Sequence, residues 1–373
     1  MGTWNGIDLD DVTIVGDRLT LRPWYAEDAA SLVPALADQR MHEFLVLPNP
    51  YTEADAQAYA TELGWASRRN GTGLGVAVAD TRTDQVLGSA GLQLPVSTQV
   101  TAEIGYLIYP EHQGHGHAAE LSLMLAAWAF AHRVPRVQIR AAVGNLASIK
   151  SAGNAGFQFE GVSRWSGRTP RGPVDQATFA RVASDPTGAL APNFAPLPDG
   201  GLSDGVVALR VFLPGDADAV MATDNDEQSL RWSFTGQPQV RDDFVASVER
   251  ARLNWLVGQQ AAMAVVDVGT GAVAGNIVVR RAGPPGVAGI GYAIHPSWRG
   301  RGYTARALRL VRSWALNNAG FNRLELGAKR ENVASQRAAR SGGFLDDGIR
   351  IGRLRNPDGS FSDEVRFASF SPL

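Results

Sequence analysis

The sequence predicts an α/β protein of two tandem domains built to one plan, each a mixed sheet flanked by helices. Three observations predict it. Residues 102–116 read AEIGYLIYPEHQGHG and residues 288–302 read AGIGYAIHPSWRGRG, eight identities in fifteen positions at an offset of 186. Downstream, Trp128 recurs as Trp314, and Asn145, Ser148, Gly156 and Phe157 recur as Asn332, Ser335, Gly343 and Phe344. Upstream, Leu21, Arg22 and Asp28 are echoed by Leu209, Arg210 and Asp216. A repeat this long is a domain repeat rather than a solenoid period. A chain of 373 residues divides naturally into two units of ordinary size.

Within the first unit, residues 18–22 read as a strand, and residues 26–37 and 53–67 as helical material. Residues 74–80 and 85–94 read as a hairpin and 103–109 as the central strand. A proline and a glycine-rich turn follow. Leu121, Met124, Leu125 and Trp128 then fall at the spacing of a helix packed on a sheet. Val137, Ile139 and Ala141 alternate as a strand, residues 147–155 read as a helix, and final strands close the unit. The second unit repeats this order. Between the two, residues 184–204 carry four prolines and three glycines without periodicity. The expected division is an N-terminal domain 1–188, a linker 189–204 and a C-terminal domain 205–373.

Composition narrows the function. With 45% hydrophobic and 19% charged residues and a mean hydropathy of -0.11, the chain reads as globular. It has no run of about 18 apolar residues and its start shows no basic and apolar leader, so a cytoplasmic protein with no membrane partner is expected. The lack of cysteine excludes disulfides, thiolate metal sites and a cysteine nucleophile. The net charge is -2, yet residues 299–355 hold thirteen basic residues against four acids. Arg306, Arg309 and Arg312 recur every third residue there, as one exposed helix side that would suit an acidic partner. No aromatic residues are interleaved with them, which argues against nucleic acid.

The ordered pattern of an Ile-Gly-Tyr strand, Pro, a Gln/Arg-x-x-Gly-x-Gly loop, a helix, a strand, an Asn-x-x-Ser helix and Gly-Phe resembles the GNAT superfamily of acyl-CoA N-acyltransferases. With Leu-Arg-Pro near its start, the first copy is most similar to the Rim-type protein N-terminal acetyltransferases. The resemblance covers nearly all of both units. It implies two GNAT-like domains, each with a mostly antiparallel central sheet. It also implies transfer of an acetyl or longer acyl group to an amine, with a peptide or protein N-terminus as first acceptor. Two alternatives stand beside this. One is a tailoring enzyme that acylates a peptide natural product or small amine from an acidic acyl carrier protein. The other is a non-catalytic module that senses acyl-CoA or binds a partner.

The donor, acetyl-CoA or a longer acyl-CoA, carries a pyrophosphate. The loop Gln113, Gly114, His115, Gly116, His117 and Ala118 can turn its N–H groups towards that group at a helix N-terminus. Arg299, Gly300, Arg301, Gly302, Tyr303 and Thr304 do the same in the second unit, with two guanidinium groups added. By resemblance, free backbone groups around Ile108 and Ile294 hold the pantetheine arm, and Asn145 and Asn332 hold donor amides. Glu103 is the candidate base, with Gly289 as its counterpart. The tyrosine that many relatives place four residues before the glycine of Gly-Phe is replaced by Ala152 and Ala339. Ser148 and Ser335 then serve as the hydroxyls for the departing sulfur. His112, His115 and His117 lie on the phosphate loop without a carboxylate pair beside them, so no metal is expected.

Overall fold

The computed structural model, which describes residues 2–96, 98–186, 188, 194–198 and 201–371, divides the chain into two units, Met1–Ala191 and Pro192–Leu373. The first opens with a small hairpin, β1 (Thr3–Trp4) and β2 (Ile7–Asp8), and continues through β3 (Ile14–Val15) and β4 (Leu19–Arg22). Helices α1 (Ala29–Ala37), α2 (Glu53–Ala58) and α3 (Gly64–Arg69) follow, the last two joined by a π turn at Tyr59–Leu63. Next come β5 (Gly73–Asp80), β6 (Val86–Gln93), β7 (Thr101–Ile108), α4 (His117–Ala131) and β8 (Arg136–Ala142). The unit closes with α5 (Leu146–Asn154), β9 (Gln158–Thr169) and β10 (Gly172–Val182).

The second unit repeats the series. Strands β11 (Leu202–Ser203) and β12 (Val207–Val211) lead to α6 (Ala217–Asp224), α7 (Glu227–Trp232) and α8 (Arg241–Leu256). Then follow β13 (Gln260–Asp267), β14 (Val273–Ala282), β15 (Val287–Ile294), α9 (Tyr303–Asn317) and β16 (Arg323–Lys329). Helix α10 (Val333–Ser341) and the hairpin β17 (Leu345–Arg355) and β18 (Phe361–Phe370) complete it. The sheets run β3-β4-β5-β6-β7-β8-β10-β9 and β11-β12-β13-β14-β15-β16-β18-β17. Every described pairing is antiparallel except β7 with β8 and β15 with β16. The fold is therefore the predicted mixed α/β layer, written twice.

The echoed upstream residues clamp the first sheet strand to the helix after it. Arg22 donates to both oxygens of Asp28 at 2.7 and 3.0 Å, and Arg210 donates to both of Asp216 at 2.7 and 2.8 Å. Each aspartate also accepts a turn N–H, from Tyr25 and Leu213, so the bidentate pair fixes the entry angle of the helix.

Two expectations change here. Part of the proposed linker, residues 189–193 and 199–200, lies outside the described residues. Of the remainder, Phe194 is 3% exposed and stacks on Trp314 with centroids 6.4 Å apart, and Leu202–Ser203 pairs with β12, so this stretch is packed into the second unit. The helix stripe also shifts. Helix α4 buries Leu121, Ser122, Leu125, Ala126 and Ala129, leaving Met124 and Trp128 half-buried at its edge, whereas Trp314 is 1% exposed.

Candidate active site

The parallel ladder stops early in both units. Strand β7 pairs with β8 from Thr101 to Ile104, and β15 pairs with β16 from Val287 to Gly289, although each strand runs several residues further. On the opposite edge the ladders to β6 and β14 continue to Ile108 and Ile294. Residues 105–108 and 290–294 therefore turn backbone groups towards an opening between strands. The carbonyls of Ile108 and Ile294 are not among the free groups. Gln113 Nε2 donates to the first at 2.9 Å, and Arg299 Nε to the second at 3.1 Å.

Beyond this opening each strand enters the glycine-rich loop. Gly114, Gly116, Gly300 and Gly302 have φ of 82°, 81°, 73° and 77°, a left-handed conformation that costs an L-residue roughly 1–2 kcal/mol. Around Gly114, Gly300 and Gly302 the outer side is open, with no atom within 4 Å of the place a Cβ would take. These glycines serve backbone shape rather than packing. They begin the 15-residue helices α4 and α9, so unpaired N–H groups and a positive helix end face the open side. That is the arrangement a pyrophosphate fits.

The loop side chains divide differently from expectation. Arg299 is a brace. Besides Ile294 it donates to Gln228 Oε1 at 2.8 Å, Asp226 Oδ2 at 2.6 Å and Ser229 Oγ at 3.1 Å, and so is committed to α7 rather than to a phosphate. Tyr303 points inwards and its hydroxyl donates to Asp267 Oδ1 at 2.6 Å, which leaves only its main chain for a ligand. Arg301 is exposed, lies over the Trp298 ring at 5.1 Å, and feels Asp267 only at a distance, with no ion pair within 4.0 Å among the described residues. In the first loop the His115 and His117 rings stack at 5.8 Å, and Arg18 donates to the His115 carbonyl at 3.1 Å. Burial, with the nearby Arg18 cation, lowers the pKa of His117. His117, Ala118 and Thr304 open the helices, all three half-buried.

At the other side of the opening sit the Asn-x-x-Ser segments. Asn145 and Asn332 use Oδ1 to cap α5 and α10, accepting from the N–H of Ser148 and Ser335 at 3.1 Å in each case. Only their amide NH2 groups remain for a donor. Ala152 and Ala339 are fully buried, so no side chain from those positions reaches the opening. A tyrosine does arrive from the facing strand, and this sequence reasoning missed. The Tyr292 hydroxyl lies 2.8 Å from Ser335 Oγ, and Tyr106 reaches the Ser148 carbonyl at 3.4 Å. Burial raises both phenols, an effect their serine contacts only partly offset, so each keeps its proton through neutral pH.

Glu103 stands on β7 at the mouth of the opening with 28% of its side chain exposed. Arg140 engages both of its oxygens, through Nε at 2.9 Å and Nη2 at 2.9 Å, and Gln138 Nε2 adds a bond at 2.8 Å. In the second unit Gly289 is in register with Glu325, which Arg366 contacts at 2.9 Å, so the carboxylate has moved one strand over. Asp224, at the end of α6, is the Asp or Glu among the described residues whose pKa is raised. Burial is the cause, partly offset by Asn276 Nδ2 at 3.1 Å.

The arginine stripe on α9 is partly engaged within its own unit. Arg306 pairs with Asp204 at 2.8 Å, Arg309 donates to the Ser341 carbonyl at 2.7 Å, and Arg312 donates to Ser369 Oγ. Each of the three is tied to another segment of the second unit, but only Arg306 meets a carboxylate, and Arg309 stays exposed. Among the described residues, no helix is long and apolar enough to cross a membrane.

Comparison with known proteins follows the same duplication. A family model described as "Acetyltransferase (GNAT) domain" matches residues 18–158 and again 207–345. An uncharacterized N-acetyltransferase p20 of Bacillus licheniformis is 27% identical over 153 residues, 41% of this chain and 85% of that protein. An uncharacterized N-acetyltransferase YoaA of Bacillus subtilis (strain 168) is 29% identical over 152 residues, 40% of this chain and 84% of that protein. Among solved structures, Mycobacterium smegmatis RimJ in complex with CoA-disulfide is 21% identical, with a TM-score of 0.41 over 46% of this chain and 85% of that one.

Proposed function

The chain belongs to the GNAT acetyltransferase family and carries that domain twice. From this premise we propose that it moves an acetyl or longer acyl group from a CoA thioester to an amine, that of a peptide or protein N-terminus or of a small molecule. The observation that carries the reading is the parallel strand pair that parts beside a left-handed glycine loop in each unit.

The donor supplies an activated acyl thioester when bound. Main-chain groups of residues 105–108 and 290–294 hold its arm, and the loop N–H groups hold its phosphates. Arg301 adds a charge-assisted contact in the second unit. The attacking amine must lose a proton and the departing sulfur must gain one. In the first unit Glu103 takes the amine's proton through a water, its carboxylate oriented by Arg140 and Gln138. Ser148 and Ser335 stand at the opening to donate to the sulfur. The Tyr292 hydroxyl behind Ser335 supplies the next proton in that chain.

The test is direct. Full-length protein is incubated with acetyl-CoA and a panel of peptide amines, and free thiol is titrated while products are weighed by mass spectrometry. Thiol release that depends on the amine is expected. Absence of both CoA binding by calorimetry and thiol release with any amine overturns the proposal.

A further inference from the structure

Where the first unit places Glu103, three residues in cross-strand register show how the units diverge. Gln93, Glu103 and Gln138 lie side by side on β6, β7 and β8, a carboxylate between two neutral amides. The matching row on β14, β15 and β16 is Arg280, Gly289 and Glu325, opposite charges on either side of an empty centre. Strands lie about 4.8 Å apart, so the two charged residues start roughly 10 Å from each other. Around Gly289 no atom lies within 4 Å of the Cβ position, and at Gly291 the nearest atom is Arg280 Nη1 at 3.3 Å. The Arg280 guanidinium thus leans across a floor stripped of side chains.

This floor belongs to a cavity of about 240 Å³ whose walls include Arg280, Glu325, Arg350, Glu364 and Arg366. At roughly 30 Å³ per water, it holds the volume of about eight waters, enough for an amino-acid-sized group. Its charges are not equally committed. Arg366 is shared between Glu325 and Asp347 at 2.9 and 3.2 Å, and Arg350 faces Glu364 at 3.5 Å. Arg280 makes one bond, from Nε to the neutral Gln260 Oε1 at 3.0 Å, and has no carboxylate partner among the described residues. Its guanidinium is exposed at the cavity wall, though partial desolvation lowers its pKa with no opposing anion, so it is open to a ligand carboxylate.

We infer that this cavity is the acceptor site of the second unit and that it selects amines which also carry a carboxylate. Arg280 takes the carboxylate, and Glu325 with Glu364 faces the amine end. The inference rests on the acyl-transfer reading and names its acceptor class. In the first unit Glu103 fills the centre and no arginine stands at Gln93, so that unit lacks the preference.

Calorimetry on the full chain tests this with two dipeptide amides, one with alanine then glutamate and one with alanine then glutamine. The acidic dipeptide is expected to bind at least tenfold tighter, and Arg280→Gln to erase the difference while Arg280→Lys keeps part of it. Should Arg280→Gln fail to fold, Gly289→Glu decides, since its side chain enters open space and restores the first unit's pattern; loss of the preference is again expected. Equal affinities in the wild type, no binding of either dipeptide, or a preference that survives the deciding variant overturns the inference. Thiol release is scored separately: no transfer to any amine refutes the acyl-transfer reading, whereas a missing preference refutes only the acceptor class.

Discussion

Arg299 and Arg301 are neighbours on one loop, and the structure gives them opposite tasks. Arg299→Gln removes an ion-paired bond to Asp226 at 2.6 Å and bonds to Ile294, Gln228 and Ser229. A hydrogen bond to a charged group contributes about 1.5–3 kcal/mol, and water replaces the weaker contacts at this partly exposed site. Burial opposes ionisation of Asp226, but Arg299 and the Ser229 N–H hold its pKa below the ordinary value, so the variant leaves a charged carboxylate unpaired. The expected loss is about 2–3 kcal/mol, which for a unit of this size lowers the melting temperature by roughly 4–12 °C. Arg301→Gln touches no ion pair, so melting stays near the wild-type value while CoA affinity falls and its dependence on salt flattens. Scanning calorimetry with CoA titrations at two salt concentrations separates the two. Wild-type melting in Arg299→Gln together with lost CoA affinity would refute the brace and return Arg299 to the phosphates.

Gly302→Ala meets no steric obstacle and suffers only the left-handed backbone cost of roughly 1–2 kcal/mol, so the sum of its effects on folding and CoA binding should equal about 5- to 30-fold in equilibrium constant. A larger effect, read by melting and titration together, means the Cβ obstructs a bound group. Tyr292→Phe should lower kcat several-fold with little change in donor KM, and the wild-type pH profile should show no loss of rate from this phenol below about pH 10. Glu103→Gln should reduce turnover about 100-fold with donor affinity kept; full turnover would move the chemistry to the second unit. Asp224 holds its proton more tightly folded than unfolded, so its stabilising share is complete below the ordinary Asp pKa and is lost as pH rises from there through its raised folded value. Asp224→Asn should therefore melt no lower than wild type at pH 7, with the wild type gaining relative to it towards pH 4.

What the sequence made legible was whatever leaves a local mark. The left-handed glycines of the loops and the Arg22–Asp28 and Arg210–Asp216 clamps act over a few residues. They recur in both copies, so the repeat displays them. What stayed hidden joins distant chain. Tyr292 meets Ser335 across 43 residues and Arg299 meets Asp226 across 73, separations at which spacing carries no information. The arginine stripe of α9 was half legible for the same reason. Its period of three describes a helix side correctly, but the partners Asp204, Ser341 and Ser369 lie in other segments. Trp128 and Trp314 match in sequence yet differ in burial, because Phe194, which stacks on Trp314, comes from a stretch that composition alone marks as linker.

The braces behind the two loops bear on how each half of the chain would meet its donor. In the second unit one guanidinium ties the loop to a strand and a helix at once, so the conformational entropy of ordering that loop is lost during folding. Capture there approaches a rigid docking event, governed by encounter rate and ionic strength. In the first unit the ties are single bonds, Gln113 to the end of its strand at 2.9 Å and Arg18 to the His115 carbonyl at 3.1 Å, and more of the ordering is left to the moment of binding. Two loops of one backbone plan would then differ in dwell time rather than in chemistry, one preset to seize a donor and the other free to release it.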